Sequence, residues 1–298
     1  LAEHIPLSQE ITAEADSGGH TDNRPALTLL PIFLTLRDDA MRQYQFSTPL
    51  RVGLGGGIAT PEATAAAFAM GAAYVLTGSV NQACVESDTS DAVRNLLAQA
   101  AQADVAMAPS ADMFEMGVKV QVLKRGTMFA MRAAKLYELY RAYESYGQIP
   151  EQTRTLVERD MLCASFDQAW EQTRLFFEER DPSQIERAER DPKHKMALVF
   201  RSYLGQSSRW AKIGDPGRKM DYQIWCGPSM GAFNAWVKGS FLEPTENRLT
   251  ATIGLNLLYG AVGVTRCNWL RNQAVIVPSQ ATVFRPLTMN EIDQRVRN

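Results

Sequence analysis

Residues 50–63 read LRVGLGGGIATPEA, an apolar run that ends in glycines and passes directly into an alanine-rich segment. The run has the composition of a buried strand. Thr60, Pro61 and the alanines after them have the order of a helix start. A hydroxyl side chain there accepts from the first free N–H groups, and a proline at the first position gives up an N–H that has no helical partner anyway. Gly71 supplies the stop. The unit is strand, glycine loop, helix, and "AAYVLTGSV" (72–80) follows as a further buried strand. Upstream, "ITAEAD" (11–16) begins as a short strand, and "SGGHTDNRP" (17–25) is a loop by its glycines and proline. "ALTLLPIFLTLRDDAMRQ" (26–43) is long and apolar enough for a helix, with Pro31 near its first turn. Strand, loop and helix recur at roughly 30-residue spacing, which predicts parallel strands joined by helical crossovers.

After residue 92 the pattern changes. "DAVRNLLAQAAQADVAMAP" (91–109) reads as helical, and "RAAKLYELYRAYESYGQIP" (132–150) places Leu136, Leu139, Tyr140 and Tyr143 on one helical face. Residues 166–211 read as helices interrupted at Pro182 and Pro192, with a mixed-sign charge run that suits a solvated face. Residues 251–273 read as one more apolar helix, whose small residues permit close packing.

Composition bounds the function. The chain has 298 residues, 45% hydrophobic and 21% charged, with a net charge of -2. That is the mix of a soluble globular protein with no global basic field for nucleic acid. Apolar stretches are broken well before the ~18 residues a membrane span needs, and the first residues lack a signal-peptide layout, so a cytoplasmic protein is expected. Cys84, Cys163, Cys226 and Cys267 show no C-x-x-C spacing, and His4, His20 and His194 are scattered, so no metal site is expected.

The glycine loop points to an anion. Consecutive glycines between a strand and a helix capped by Thr60 expose backbone N–H groups and the positive end of the helix dipole. "GLGGGI" (53–58) lacks the Lys-Ser/Thr ending of a Walker loop and has isoleucine where a dinucleotide fingerprint has its third glycine. One unit later "VLTGSV" ends in Thr77, Gly78 and Ser79, a second small loop with hydroxyls. Two successive loops of this kind fit the last units of a (β/α)8 barrel, where a cofactor phosphate commonly sits. A doubly wound sheet would need an acidic ribose ligand about 20 residues after the glycines, and residues 70–80 contain no carboxylate. His20, beside Gly18 and Gly19 in the first loop, then faces the same mouth and suits acid/base work or polarisation of a carbonyl.

These loops, "EADSGGH" and "GLGGGIATPEATAAAFAMGAAYVLTGS", resemble the flavin-dependent barrel group that holds nitronate monooxygenases and bacterial FMN enoyl-acyl-carrier-protein reductases. Within that group the chain most resembles the PfaD-type trans-acting enoyl reductases of polyketide and polyunsaturated fatty acid synthases. That closer likeness rests on "NQACVESDTSDAVRNLLAQA" (81–100), "APSADMFEMGVKVQVLKRGTMFAMRAAKLYELYR" (108–141) and residues 207–243 with "DYQIWCGP". The resemblance implies FMN and NADPH as cofactors, an acyl carrier protein as partner and enoyl thioesters as substrate. A homodimer is a further expectation.

By the same resemblance Gly56, Gly57, Gly78 and Ser79 hold the FMN phosphate through main-chain N–H groups, with Thr77 flanking. Ser17, Gly18 and Gly19 lie along the cofactor, and His20 is the candidate catalytic residue. The fold expected is α/β: the last three βα units of a (β/α)8 TIM-type barrel over residues 1–105, then a mostly α-helical region over 106–298. The earlier strands are not in this sequence, so the chain is expected to be the carboxyl-terminal portion of a longer protein. Two other functions remain open on the residues: a nitronate monooxygenase-like oxidase with His20 as base, and a synthase-docking module without catalysis.

Two features of the tail are ambiguous in sequence. "DYQIWCGPSMGAFNAW" (221–236) suits helix-packing core better than a pocket wall or docking surface, and Cys226 has no nearby histidine to make it a nucleophile. Arg201, Arg209, Lys212, Arg218 and Lys219 form a basic stretch around "GDPG", which suits either a solvated surface or an acidic partner.

Overall fold

A computed structural model of the chain describes residues 4–297. They form two compact units, one from residues 1–105 with 225–298 and one from 106–224.

The first unit is built on a parallel sheet. Strands β1 (Glu10–Glu14), β3 (Arg51–Gly55) and β4 (Val75–Leu76) pair in the order β1-β3-β4, both pairs parallel. Between β1 and β3 lie the short β2 (Gly19–His20) and helix α1 (Ala26–Tyr44), which packs on both strands. Helix α2 (Pro61–Ala69) connects β3 to β4 and starts as the sequence predicts: Thr60 Oγ1 accepts from the Ala63 N–H at 3.3 Å, and Gly71 turns the chain at φ +101°. The core of this unit is small and aliphatic, with Ala13, Leu30, Val52, Leu54, Ile58 and Ala67 buried between sheet and helices. Only Val75 and Leu76 of the expected strand 72–80 pair; Ser79 already begins the one-turn helix α3 (Ser79–Gln82). Helix α4 (Asp91–Ala98) then closes this stretch.

The expected helix over 91–109 is corrected. It stops at Ala98, and Val105–Pro109 is a strand, β5, hydrogen-bonded beside a further strand, β6 (Lys119–Leu123). Strand β6 is buried on both faces from Val120 to Leu123. The rest of the second unit is helical: α5 (Phe129–Ala142), α6 (Glu151–Val157), α7 (Phe166–Arg180), α8 (Ser183–Arg190) and α9 (Pro192–Ile213). The breaks fall at Pro182 and Pro192, as the sequence requires. Ser165 and Gln168 cap α7 reciprocally, and Asp191 accepts from two N–H groups at the start of α9. Leu136 and Leu139 are buried, and Tyr140 and Tyr143 pack partly buried against a core that includes Phe114, Phe129, Trp170 and Phe200.

The expected helical region 106–298 is not one body. Residues from 225 onward return to the first unit as α10 (Ser229–Val237), α11 (Thr250–Asn272) and α12 (Met289–Arg297). The reason is steric. A Cβ on Gly260 of α11 would lie 2.5 Å from the ring of Pro61, the first residue of α2, so the two helices touch with nothing between them. Among the described residues no helix is long and apolar enough to cross a membrane.

Candidate functional site

The strand register sets the site. Glu14 stands opposite Gly55, and Gly55 opposite Leu76, so the three parallel strands end level. The loops that begin at Ala15, Gly56 and Thr77 therefore leave one edge of the sheet, the carboxyl edge where α/β proteins bind ligands. Ala15 is tied to this edge by its N–H, which donates to the Gly55 carbonyl at 2.8 Å.

The glycines at this edge serve two different purposes. A Cβ on Gly56, at φ +83°, would meet the Ala15 carbonyl at 2.6 Å, so this glycine lets the first and second loops touch backbone to backbone. Inside the strand, Gly53 makes room for the Tyr74 ring. Gly57, at φ +78°, and Gly78 are different: a Cβ on either would meet nothing within 4 Å. Their bare backbones, on loops leaving neighbouring strands, face open space and form a cradle for a group that approaches the main chain. An anion fits such a cradle, because peptide N–H groups at a strand end that starts a helix are its natural donors.

The hydroxyls of the third loop are committed elsewhere. Ser79 is buried and its Oγ accepts from the Gly227 N–H at 2.9 Å. Thr77 Oγ1 donates to Asn81 Oδ1 at 2.9 Å, and Asn81 Nδ2 returns a bond to the Thr77 carbonyl at 2.8 Å. This leaves the backbone as the loop's means of holding a ligand. Asn81 is a positioning residue without a sequence signal, since nothing in "VNQ" distinguishes it from a surface amide.

The first loop is walled by residues far along the chain. A Cβ on Gly19, at φ +86°, would meet the Trp225 ring at 2.7 Å; one on Gly18 would meet the Cys226 main chain at 2.7 Å. Gly227 in turn lies against Ser17 and the Gly18 nitrogen. These glycines exist so that residues 225–227 can lie on the loop. Trp225 stands edge-on to His20, ring centres 5.6 Å apart at 81°, and keeps 40% of its surface exposed. His20 is itself half-buried, so the pair presents an imidazole beside an indole at the mouth. Elsewhere in the loop, Ser17 Oγ donates to Glu14 at 3.0 Å and Asn23 donates to Asp16 at 2.7 Å, which pins its two ends.

The structure thus divides the aromatic segment 221–236. Phe233 is core, whereas Trp225 belongs to the site wall. Its contact is with a glycine some two hundred residues upstream, which no local pattern reveals. Cys226 is fully buried, and burial pushes its thiol up to about 12, so it stays a protonated thiol and is no nucleophile. Of the basic stretch, Arg218 is paired with Asp221 and lies over the Trp210 ring, and Arg201 donates to the Ala111 carbonyl.

The chain is thus an α/β protein with two bare glycine loops at the carboxyl edge of a parallel sheet, the edge at which α/β folds commonly hold phosphorylated ligands. The particular relatives are a polyunsaturated fatty acid synthase subunit, a polyketide biosynthesis protein and an enoyl reductase domain. The chain is 48% identical over 296 residues to a polyunsaturated fatty acid synthase subunit of Thraustochytrium sp., covering 96% of this chain and 20% of that protein. It is 49% identical over 254 residues to the polyketide biosynthesis protein PksE of Bacillus subtilis, covering 85% of this chain and 33% of the relative. A solved structure, the enoyl reductase domain of MlnA from the macrolactin biosynthesis cluster of Bacillus amyloliquefaciens, superposes with a TM-score of 0.84 at 41% identity. It covers 89% of this chain and 59% of that one. The chain therefore spans a third or less of these curated relatives. The family described as acyl-carrier-protein S-malonyltransferase, inserted helical domain, matches residues 143–222, which lie in the second unit. An enoyl reductase of the PfaD type, the family the sequence resembles, fits these relatives.

Proposed function

We propose that the chain is part of an FMN- and NADPH-dependent enoyl reductase, with the first unit contributing βα units to a (β/α)8 barrel. Its substrate would be an enoyl thioester on an acyl carrier protein of polyketide or polyunsaturated fatty acid biosynthesis. The observation that carries the reading is the pair of open glycines, Gly57 and Gly78, on adjacent loops beside the His20–Trp225 pair. The relationship to an enoyl reductase domain supports the same reaction.

Bound FMN would supply hydride transfer from NADPH to the β-carbon of the enoyl thioester. The N–H groups at Gly57 and Gly78 would hold its phosphate, since a Cβ at either position meets no atom and none is there to block the approach. His20 then holds the thioester carbonyl or delivers the proton that the α-carbon requires, and in both roles its N–H must reach the substrate. The Trp225 ring stands edge-on to His20 and walls one side of it.

The test uses the protein that carries this chain. It should release FMN on denaturation and oxidise NADPH only when a crotonyl thioester is present, with nitroalkanes inert. His20→Ala should keep the flavin and lose turnover by about a hundredfold or more, the usual weight of a positioned acid. Nitroalkane turnover would replace the reductase with the oxidase reading. A protein that binds no flavin leaves only a docking role.

A further inference from the structure

In the first unit a cavity of about 440 Å³ lies beside α11, against the segment that joins it to α12. Trp236, Phe284 and Leu287 supply its apolar lining, and two guanidinium groups, Arg285 and Arg295, stand in its wall. Among the described residues no carboxylate lines it. Tyr259 adds a phenol hydroxyl that forms no hydrogen bond among the described residues.

The fold brings the two arginines here by separate means. Trp236 Nε1 donates to the Phe284 carbonyl at 2.7 Å, while the buried Asn256 accepts from the Leu287 N–H at 2.6 Å and donates to the Leu287 carbonyl at 2.8 Å. The backbone is therefore held on both sides of Arg285, with Pro286 buried beside it. Arg295 comes from α12, one turn beyond Ile292, the buried residue of that helix, and residues three apart share a helix face.

Their charges are not cancelled within the wall. Arg285 is exposed and has neither ion pair nor hydrogen bond among the described residues. Arg295 attracts Glu291, a turn before it on α12, but that carboxylate is outside the cavity wall, and its Oε2 accepts from the Thr288 N–H at 2.7 Å and the Thr288 hydroxyl at 2.8 Å. Two cations against this one carboxylate leave the site positive. Like charges repel, so gathering two guanidiniums at one cavity carries a cost that a bound anion offsets.

We propose that this cavity binds a phosphate monoester carried on a planar ring, with the phosphate between Arg285 and Arg295, the Tyr259 hydroxyl as a further donor, and the ring against Trp236 and Phe284. Guanidinium groups match phosphate oxygens in geometry as well as charge, and aromatic side chains offer flat apolar surface to a ring. A cavity of this size, with an apolar lining and a few polar groups that fix orientation, is an ordinary small-ligand site. The chemistry is that of a nucleotide. It describes both a free mononucleotide and the phosphate-bearing adenosine of NADPH, the second source resting on the reductase reading above.

Titration calorimetry of the protein that carries this chain, with adenosine 2′-monophosphate, adenosine 5′-monophosphate and adenosine, tests the site. Saturable binding of a monophosphate, with adenosine at least tenfold weaker, is the expected result. Arg285→Gln should weaken it about tenfold, since a charge-assisted contact of this kind is worth about that factor, and Arg285→Lys should recover part of the affinity. Arg285→Gln combined with Arg295→Gln should abolish saturation. The two sources separate in kinetics: a raised KM for NADPH in Arg285→Gln, with kcat and the KM for NADH unchanged, identifies the cofactor, whereas unchanged KM values with weakened monophosphate binding identify a free nucleotide. The proposal is overturned if neither monophosphate saturates, if adenosine binds as tightly as its phosphates, or if the double variant binds like the parent. Flavin release and thioester-dependent NADPH oxidation report on the glycine-loop site by themselves, so failure here leaves that reading standing, and a protein without flavin can still bind the monophosphates.

Discussion

At the residue scale, the question raised by "GLGGGI" is which glycines serve the chain and which serve a ligand. The sequence shows the cluster and its place between strand and helix, but a glycine's neighbour is a tertiary fact. Gly56 meets Ala15 and Gly53 meets Tyr74, whereas Gly57 and Gly78 meet nothing. Substitution should separate them. Gly56→Ala drives a Cβ into the Ala15 carbonyl at an unfavourable φ and should cost roughly 3 kcal/mol, read by urea denaturation. Gly78→Ala meets no atom and no backbone strain, so its stability should stay within about 0.5 kcal/mol of the parent. Its FMN affinity should nevertheless fall at least severalfold, because the added methyl intrudes on the cradle. Gly78→Ala with full flavin affinity would remove that position from the phosphate site.

At the element scale, the parallel βα units were legible because each carried its own punctuation: Thr60 and Pro61 to start α2, Gly71 to stop it, Pro182 and Pro192 to break the later helices. Strands β5 and β6 were not legible. Five residues of "VAMAP" carry no β-branched pattern beyond one valine, and "KVQVL" is too short to outweigh the helical sequence around it. Nor could the sequence show that α11 returns to α2, although its small residues announced close packing with some element. The contact has a sharp test. A Cβ on Gly260 lies 2.5 Å from the Pro61 ring, and one on Gly263 lies 2.0 Å from the Phe284 ring. Gly260→Val should therefore push α11 off the start of α2 and destabilise the first unit by about 1–3 kcal/mol. Because α2 begins where the Gly56–Gly57 loop ends, flavin affinity should drop with it. A Gly260→Val variant as stable as the parent would mean that the helices can part without cost.

At the scale of the whole molecule, both units keep acids protonated by burying them. In the first unit burial raises the Cys226 thiol from 9.0 to about 12 and also raises Cys84. In the second, burial raises the Tyr203 and Tyr146 phenols, with the Asp221 carboxylate, which accepts from the Tyr203 hydroxyl at 2.6 Å, adding to the first. The consequence for stability follows from proton counting. Between about pH 9 and about pH 12 the folded chain holds the Cys226 proton that the unfolded chain has released, so the folded state binds more protons and stability falls as pH rises. Below pH 9 the thiol is protonated in both states and contributes no slope. The urea midpoint should accordingly hold steady from pH 7 to 8.5 and decline steeply above 9. Cys226→Ala loses some stability at every pH through the small cavity it leaves, and its decline between pH 9 and 10 should be shallower, since one of the retained protons is gone. Equal slopes in the variant and the parent would place the alkaline sensitivity elsewhere, in Cys84 or in the buried tyrosines, which begin to count only as the pH approaches the ordinary phenol range near 10.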